Sequence, residues 1–289
     1  MTGARTFARY FVPALALLSA VLMPGSAAAR SLAEVTSSKL LRVVVYEDNK
    51  PFSFRHNGQM TGIDVEIARL FARALDAELQ LMPRPARENI DADLAADAWR
   101  HEPGAEPPGD VIMHIPVDRD VAARNPEMLI GQPYFEERIA LAYDPARLGN
   151  TPSFEMFRRE RIAVESGTLA DYFVTFAYEG ALRPNIVHYA GIGDGVGRLK
   201  SGNVAGVLAV RSRLEAALSE AKATATFAEL ALPGIAAPRW QVGLAVAEKS
   251  GDLADFLGQA IATLKASGAL QAISAKYGVG YAAPDAAMR

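Results

Sequence analysis

Leu41-Arg42-Val43-Val44-Val45-Tyr46-Glu47-Asp48-Asn49-Lys50-Pro51-Phe52-Ser53-Phe54 is the stretch on which the fold turns. Leu41 to Val45 is rich in β-branched residues and bounded by turn chemistry, which predicts a strand buried on both faces. The turn is Asp48-Asn49-Lys50-Pro51, and an aromatic segment, Phe52 to Phe54, follows it. After Gly62, the residues Ile67, Leu70, Phe71, Ala74 and Leu75 recur at helical spacing. Asp64 and Glu66 in the first turn favour the positive end of that helix. Strand, loop and helix make a βα unit, and repetition of such units implies a mostly parallel sheet.

Upstream, Arg5 and Arg9 precede an apolar run from Phe11 to Met23 and the small residues Ser26-Ala27-Ala28-Ala29. This is the pattern of a secretory signal, with cleavage expected just before Arg30. The apolar run falls short of the roughly 20 residues that a permanent membrane helix needs. Loss of residues 1–29 moves the formal net charge from -3 to -5, which disfavours a nucleic-acid partner. The chain has no cysteine, so disulfides, thiolate metal sites and cysteine nucleophiles are excluded. About 260 mature residues lie near the length at which one core divides into two.

Strands are expected over Glu78 to Met82 and Asp110 to Ile115, with a helix marked by Ile90, Leu94 and Ala98 between them. Pro103, Gly104, Pro107, Pro108 and Gly109 make a breaker-rich excursion. Asp91, Asp93 and Asp97 lack the ligand alternation of a calcium loop and read as a solvated helix face. Gln132 to Tyr143 reads as an extended crossover, and Arg161 to Val164 starts a second lobe. A helix near Gly195 to Ser201, a strand over Val204 to Val210 and a helix from Ser212 follow. Trp240 to Ala247 would return the chain to the first lobe, where Leu253, Phe256, Leu257, Ala260, Ile261 and Leu264 mark a final long helix. The expected architecture is α/β, two lobes joined by two hinge crossings. The divisions are 39–139 and 237–281 for lobe 1, 140–236 for lobe 2, and 282–289 for a tail.

Catalytic patterns are missing. His56, His101, His114 and His188 show no metal-ligand spacing, and Ser166 has no nucleophile-elbow sequence around it. Gly191, Gly193, Gly195 and Gly197 lack dinucleotide spacing and follow no clear strand, so they read as a flexible turn. The positive signal is for an anion. Ser166-Gly167-Thr168 offers hydroxyls and N–H groups at a helix start, and Arg119 can present a planar fork to a carboxylate.

The ordered motifs from Lys39 to Tyr281 resemble the bacterial periplasmic solute-binding proteins of family 3, the amino-acid-binding type. The resemblance rests on Pro51-Phe52, Gly62-Ile63-Asp64, the strand Asp110 to Ile115 with Arg119, Ser166-Gly167-Thr168, Leu199-Lys200-Ser201-Gly202-Asn203-Val204, and Lys276-Tyr277-Gly278. It implies a two-lobed type II fold, a periplasmic location, no catalysis and no metal. The ligand-binding residues it implies are Asn49, Phe52, Phe54, His114, Arg119, Ser166, Gly167, Thr168, Val210 and Arg211. Two positions depart from the pattern. Val210 stands where the family places the aspartate that pairs with a ligand ammonium, and His114 replaces a small hydroxyl residue. A buried ammonium without a counter-charge costs several kcal/mol.

Asn49 to Ser53, Asp110 to Pro116 and Lys276 to Val279 resemble a narrower branch encoded with quinoprotein alcohol dehydrogenases, including the J protein of methanol-oxidation operons. That resemblance implies an accessory of a quinoprotein methanol dehydrogenase. No resident cofactor is expected, and pyrroloquinoline quinone, a tricarboxylate, is a candidate anionic ligand. The alternative is a transport receptor that binds a small carboxylate-bearing solute and docks on an ABC permease. A hydrolase on the same fold finds no catalytic constellation.

Overall fold

The computed structural model describes residues 30–98 and 107–285. The expected signal segment, His101, and Pro103 and Gly104 lie outside the described residues, as does the side chain of Asp97. The first half begins with α1 (Leu32–Ser38), β1 (Leu40–Tyr46), β2 (Asp48–Asn49), β3 (Ser53–His56), β4 (Gln59–Thr61) and α2 (Ile63–Ala74). It continues through β5 (Glu78–Arg84), α3 (Ile90–Ala98), β6 (Val111–Pro116) and α4 (Arg119–Arg124) into the long strand β7 (Met128–Tyr143). Then come α5 (Pro145–Leu148), β8 (Ile162–Glu165), α6 (Leu169–Phe176), β9 (Ile186–Tyr189), α7 (Ile192–Lys200), β10 (Gly206–Val210), α8 (Arg211–Glu220) and β11 (Thr226–Ala228). The chain returns through β12 (Arg239–Ala247) and finishes with α9 (Gly251–Ala266) and α10 (Ala269–Lys276).

One sheet runs in the order β5-β1-β6-β12-β7-β10-β8-β9, with β11 also paired to β7, and β2, β3 and β4 form a separate three-stranded sheet. β1 is parallel to β5 and β6, and β8 is parallel to β9 and β10. β7 belongs to both groups. Its residues from Met128 to Arg138 pair with β12, whereas Ile139 to Tyr143 pair with β10. The first lobe thus contains β5, β1, β6, β12 and the first part of β7; the second contains β8, β9, β10, β11 and the remainder of β7.

Each lobe has apolar clusters on both faces of its sheet. In β1, Val43 and Val45 pack with Ile67, Phe71, Val246 and Leu257, while Val44 faces Ile112, Leu94 and Ile115. This matches the two-sided burial expected of that run. In the second lobe Leu141, Phe157, Val164, Phe173 and Leu208 form one cluster, and Ala163, Val187, Val196 and Leu214 another.

Two readings need correction. A strand, β9, does precede the glycine run, and Gly193, Gly195 and Gly197 lie inside α7 and not in a flexible turn. Four residues, Ile186 to Tyr189, are too few to show a period, and their strand character comes from parallel pairing with β8. Gly195 fits because a Cβ there would lie 2.5 Å from the Tyr189 ring. Asp93 is not solvated either. It is buried, accepting hydrogen bonds from Tyr46 Oη and the Arg87 N–H, both at 2.8 Å. Asp91 sits on the outer side with Arg124 and Asn125.

The loop after β1 is fixed by the start of α2. A helix leaves its first N–H groups without partners, and here Ile63 N–H donates to the Pro51 carbonyl at 3.1 Å and Asp64 N–H to the Phe52 carbonyl at 2.8 Å. Gly62 permits that approach. Its φ is 128°, and a Cβ would collide with the Phe52 carbonyl. Gly62→Ala is therefore expected to destabilise the protein by about 2–4 kcal/mol. Urea unfolding measures this, and a loss below about 0.5 kcal/mol would contradict the packing described.

Candidate functional site

The carboxyl ends of β1 and β6 in the first lobe and of β8 and β10 in the second lead into most of the expected site residues, with Phe54 on β3. Asn49 lines a recess of about 520 Å³ in which Asp48, Asn49 and Lys50 face Ile192, Gly193 and Arg213 of the second lobe. Lys50 pairs with Glu220 across the gap between lobes. Arg213 is held at 2.7 and 3.1 Å by the two oxygens of Glu165. The recess is polar, is built by both lobes and has a size suited to a small solute.

Phe52 does not line this recess. It is 1% exposed, with its ring centroid 4.3 Å from that of His114 and 5.1 Å from that of Phe135. Phe54 packs edge-on to Tyr277 at 6.3 Å, beneath the Lys50 ammonium. His114 has φ 65° and belongs to a buried polar network. Its N–H donates to Tyr134 Oη at 3.1 Å, Tyr134 Oη donates to Asp64 Oδ1 at 2.6 Å, and its Nδ1 lies 3.3 Å from Asp64 Oδ2 without hydrogen-bond alignment. Burial first, and Asp64 second, drive the Tyr134 phenol well above its ordinary range, so it stays a donor.

Arg119 is exposed in the first turn of α4, after the capping residue Asp118. Ser166, Gly167 and Thr168 form the turn between β8 and α6, with Thr168 as the N-cap. The amides there are already engaged. Gly167 N–H donates to Asp171 Oδ2 at 2.9 Å, Thr168 Oγ1 accepts from Asp171 N–H, and Ser166 N–H is bonded to the Tyr189 carbonyl. His188 Nε2 meets the other Asp171 oxygen at 2.8 Å. Val210 caps α8 through its backbone position, with no side-chain hydrogen bond. Arg211 turns to Glu215 at 2.8 Å, to Glu229 at 3.5 Å and over the Phe227 ring.

Asp64, Tyr134, Glu137 and Ser212 were not among the expected site residues. Glu136-Glu137 inside an otherwise apolar extended run was the available signal, since buried acids require partners. Glu137 is 3% exposed and accepts a hydrogen bond from Ser212 Oγ on α8.

With the geometry in place, comparison defines the fold. Residues 41–98 match the family described as bacterial extracellular solute-binding proteins, family 3. No curated protein sequence matches the chain. An ancestral cationic amino acid solute-binding protein, AncCDT-1, is 20% identical with TM-score 0.65, covering 86% of this chain and 99% of its own. A second structure of that ancestor is described as a precursor of cyclohexadienyl dehydratase. An amino acid ABC transporter substrate-binding protein from Streptococcus pneumoniae bound to L-arginine is 20% identical, with TM-score 0.57 and coverage of 86% and 98%. The GluR0 ligand-binding core in complex with L-glutamate is also 20% identical, with TM-score 0.56 and coverage of 83% and 98%. This chain has the two-lobed type II solute-binding fold. The proteins it resembles are mostly binders, with one enzyme precursor among them.

Burial pushes the Glu137 carboxyl up to about 7, against the opposing effects of the Ser212 hydroxyl and the nearby His114 ring. The folded protein then binds more protons than the unfolded chain between about pH 4.5 and 7, so the stability present at low pH is lost as pH rises through that window. The amount is roughly 3 kcal/mol. Glu137→Gln is expected to flatten the change in urea midpoint between about pH 5 and pH 8 and to exceed the parent in stability at the upper end. A pH dependence unchanged in the variant would contradict this assignment.

Proposed function

We propose that the protein is a secreted, periplasmic, non-catalytic solute-binding protein that takes a small carboxylate-bearing solute between its lobes and delivers it to an ABC permease. The observation that carries this reading is the polar recess shared by Asp48 to Lys50 and by Ile192, Gly193 and Arg213. The family match over residues 41–98 and the transporter receptors of the same fold support it. Among the described residues, no helix is long and apolar enough to cross a membrane.

The solute class differs from an ordinary amino acid at one point. β10 ends in Val210, with no carboxylate side chain to meet an ammonium. The acids lining the recess are Asp48, which is exposed and therefore screened by water, and Glu220, which Lys50 engages. Carboxylates lacking an α-amino group are thus expected to bind at least as well as the matching amino acids. Arg119 does not line this recess, and its role as carboxylate clamp comes from the family resemblance. The expected role beside a quinoprotein methanol dehydrogenase, with pyrroloquinoline quinone as ligand, gains no support from the family match or from the structures above.

Isothermal titration with pairs of carboxylates and their uncharged amides tests both assignments. Arg119→Ala is expected to weaken the carboxylates about 10-fold to 100-fold and their amides by less than about threefold. Equal losses for the two members of each pair would remove Arg119 from the site. Tighter binding of amino acids than of their deaminated counterparts would contradict the role given to Val210.

A further inference from the structure

Helix α8 has two working faces. Leu214, Ala217 and Leu218 pack into the core of the second lobe. Ser212, Glu215, Ala216, Ser219 and Glu220 follow the i, i+3, i+4, i+7, i+8 spacing that defines one stripe on a helix. Every residue of that stripe meets the crossing strand, the first lobe or the C-terminal segment. Ser212 Oγ donates to Glu137 on β7. Glu215 Oε2 accepts from the Gly280 N–H at 2.8 Å. Ala216 is 3% exposed and joins the apolar cluster of the first lobe. Ser219 lies against Gly278, where an added Cβ would stand 2.5 Å from the Ser219 Cβ. Glu220 pairs with Lys50.

The C-terminal segment is itself anchored across the crossing strands. Val279 is 3% exposed in the first-lobe cluster, and Tyr281 packs edge-on to Phe135 at 6.0 Å. The Ala282 carbonyl accepts from the Glu136 N–H at 3.0 Å, and the Asp285 carbonyl accepts from Gln241 on β12. Gly278 has φ 74°, a left-handed conformation that glycine adopts without strain, and this turn aims the segment from the end of α10 towards α8.

We propose that α8 is an interlobe latch, with Gly278 to Asp285 as its clasp, holding the two lobes together without any solute. Hinge motion that separates the lobes must peel this stripe away at successive turns. A solute then adds to a closed state that the chain already favours. The inference rests on the fold and contacts alone, so it holds or fails whatever the solute.

The absence of native cysteine makes the test direct. Spin labels at Gln59→Cys and Ser201→Cys, both exposed and one on each lobe, report the interlobe distance in solute-free protein by double electron–electron resonance. The full mature chain is expected to give one narrow distance. Truncation after Tyr277 is expected to add a longer-distance population. The double variant Glu215→Ala, Lys50→Ala, which leaves Val279 in its cluster, should do the same and serves if truncation unfolds the protein. Far-UV circular dichroism verifies folding. A broad open and closed mixture in the parent, or one unchanged distance in the folded variants, would overturn the latch.

Discussion

A single strand serving two sheets is the constraint on which this structure depends. β7 runs for 16 residues, pairing first with β12 and then with β10. Where its partners change, it carries Glu136, Glu137 and Arg138, and the two acids are 5% and 3% exposed. Charges placed so deeply need partners. Glu137 takes Ser212 from α8, while Glu136 lies among Arg138 and Arg239, which also share Glu229. The interlobe contacts are therefore set by the chemistry of the crossing as much as by the two cores.

The same economy governs the strand ends of the first lobe. Asp64 at the start of α2 and Tyr134 on β7 organise the His114 backbone, and Phe52 covers the imidazole. These groups fix one another at the strand ends of the first lobe. The recess is lined by Asp48 to Lys50 and by the first residues of α7. Across the gap, Asp171 occupies the Gly167 amide, and its carboxyl is held below the usual range by the Gly167 N–H and His188 even though burial opposes this. The turn that sequence reading assigns to an external anion already carries one from its own chain.

Much of the frame was legible in the sequence. The β-branched run of β1, the helical stripe of α2, the extended crossing of β7, the return of β12 and the apolar face of α9 each have a period or length long enough to read. Short elements were less accessible: β9 has four residues and takes its identity from parallel pairing with β8. Within the candidate site, resemblance singled out Asn49 and His114 and residue type the Ser166 turn, but neither could give their partners. Thr168-x-x-Asp171 is a local helix-start pattern, so the cap bond follows from spacing alone, whereas Asp64 lies 70 residues before Tyr134 and their hydrogen bond follows from no local pattern. The contact stripe of α8 was hidden for a related reason. Its members are serine, glutamate and alanine, which read as a solvent face until the first lobe and the C-terminal segment are laid against them.

Native mass spectrometry of the protein, isolated from its native source without denaturation, tests the solute-binding account most directly. The account predicts a bound species with the mass of a small carboxylic acid, released when the protein unfolds and restored when the acid is returned. A folded protein that carries no small molecule, and that takes up none from a panel of small carboxylates, would contradict it.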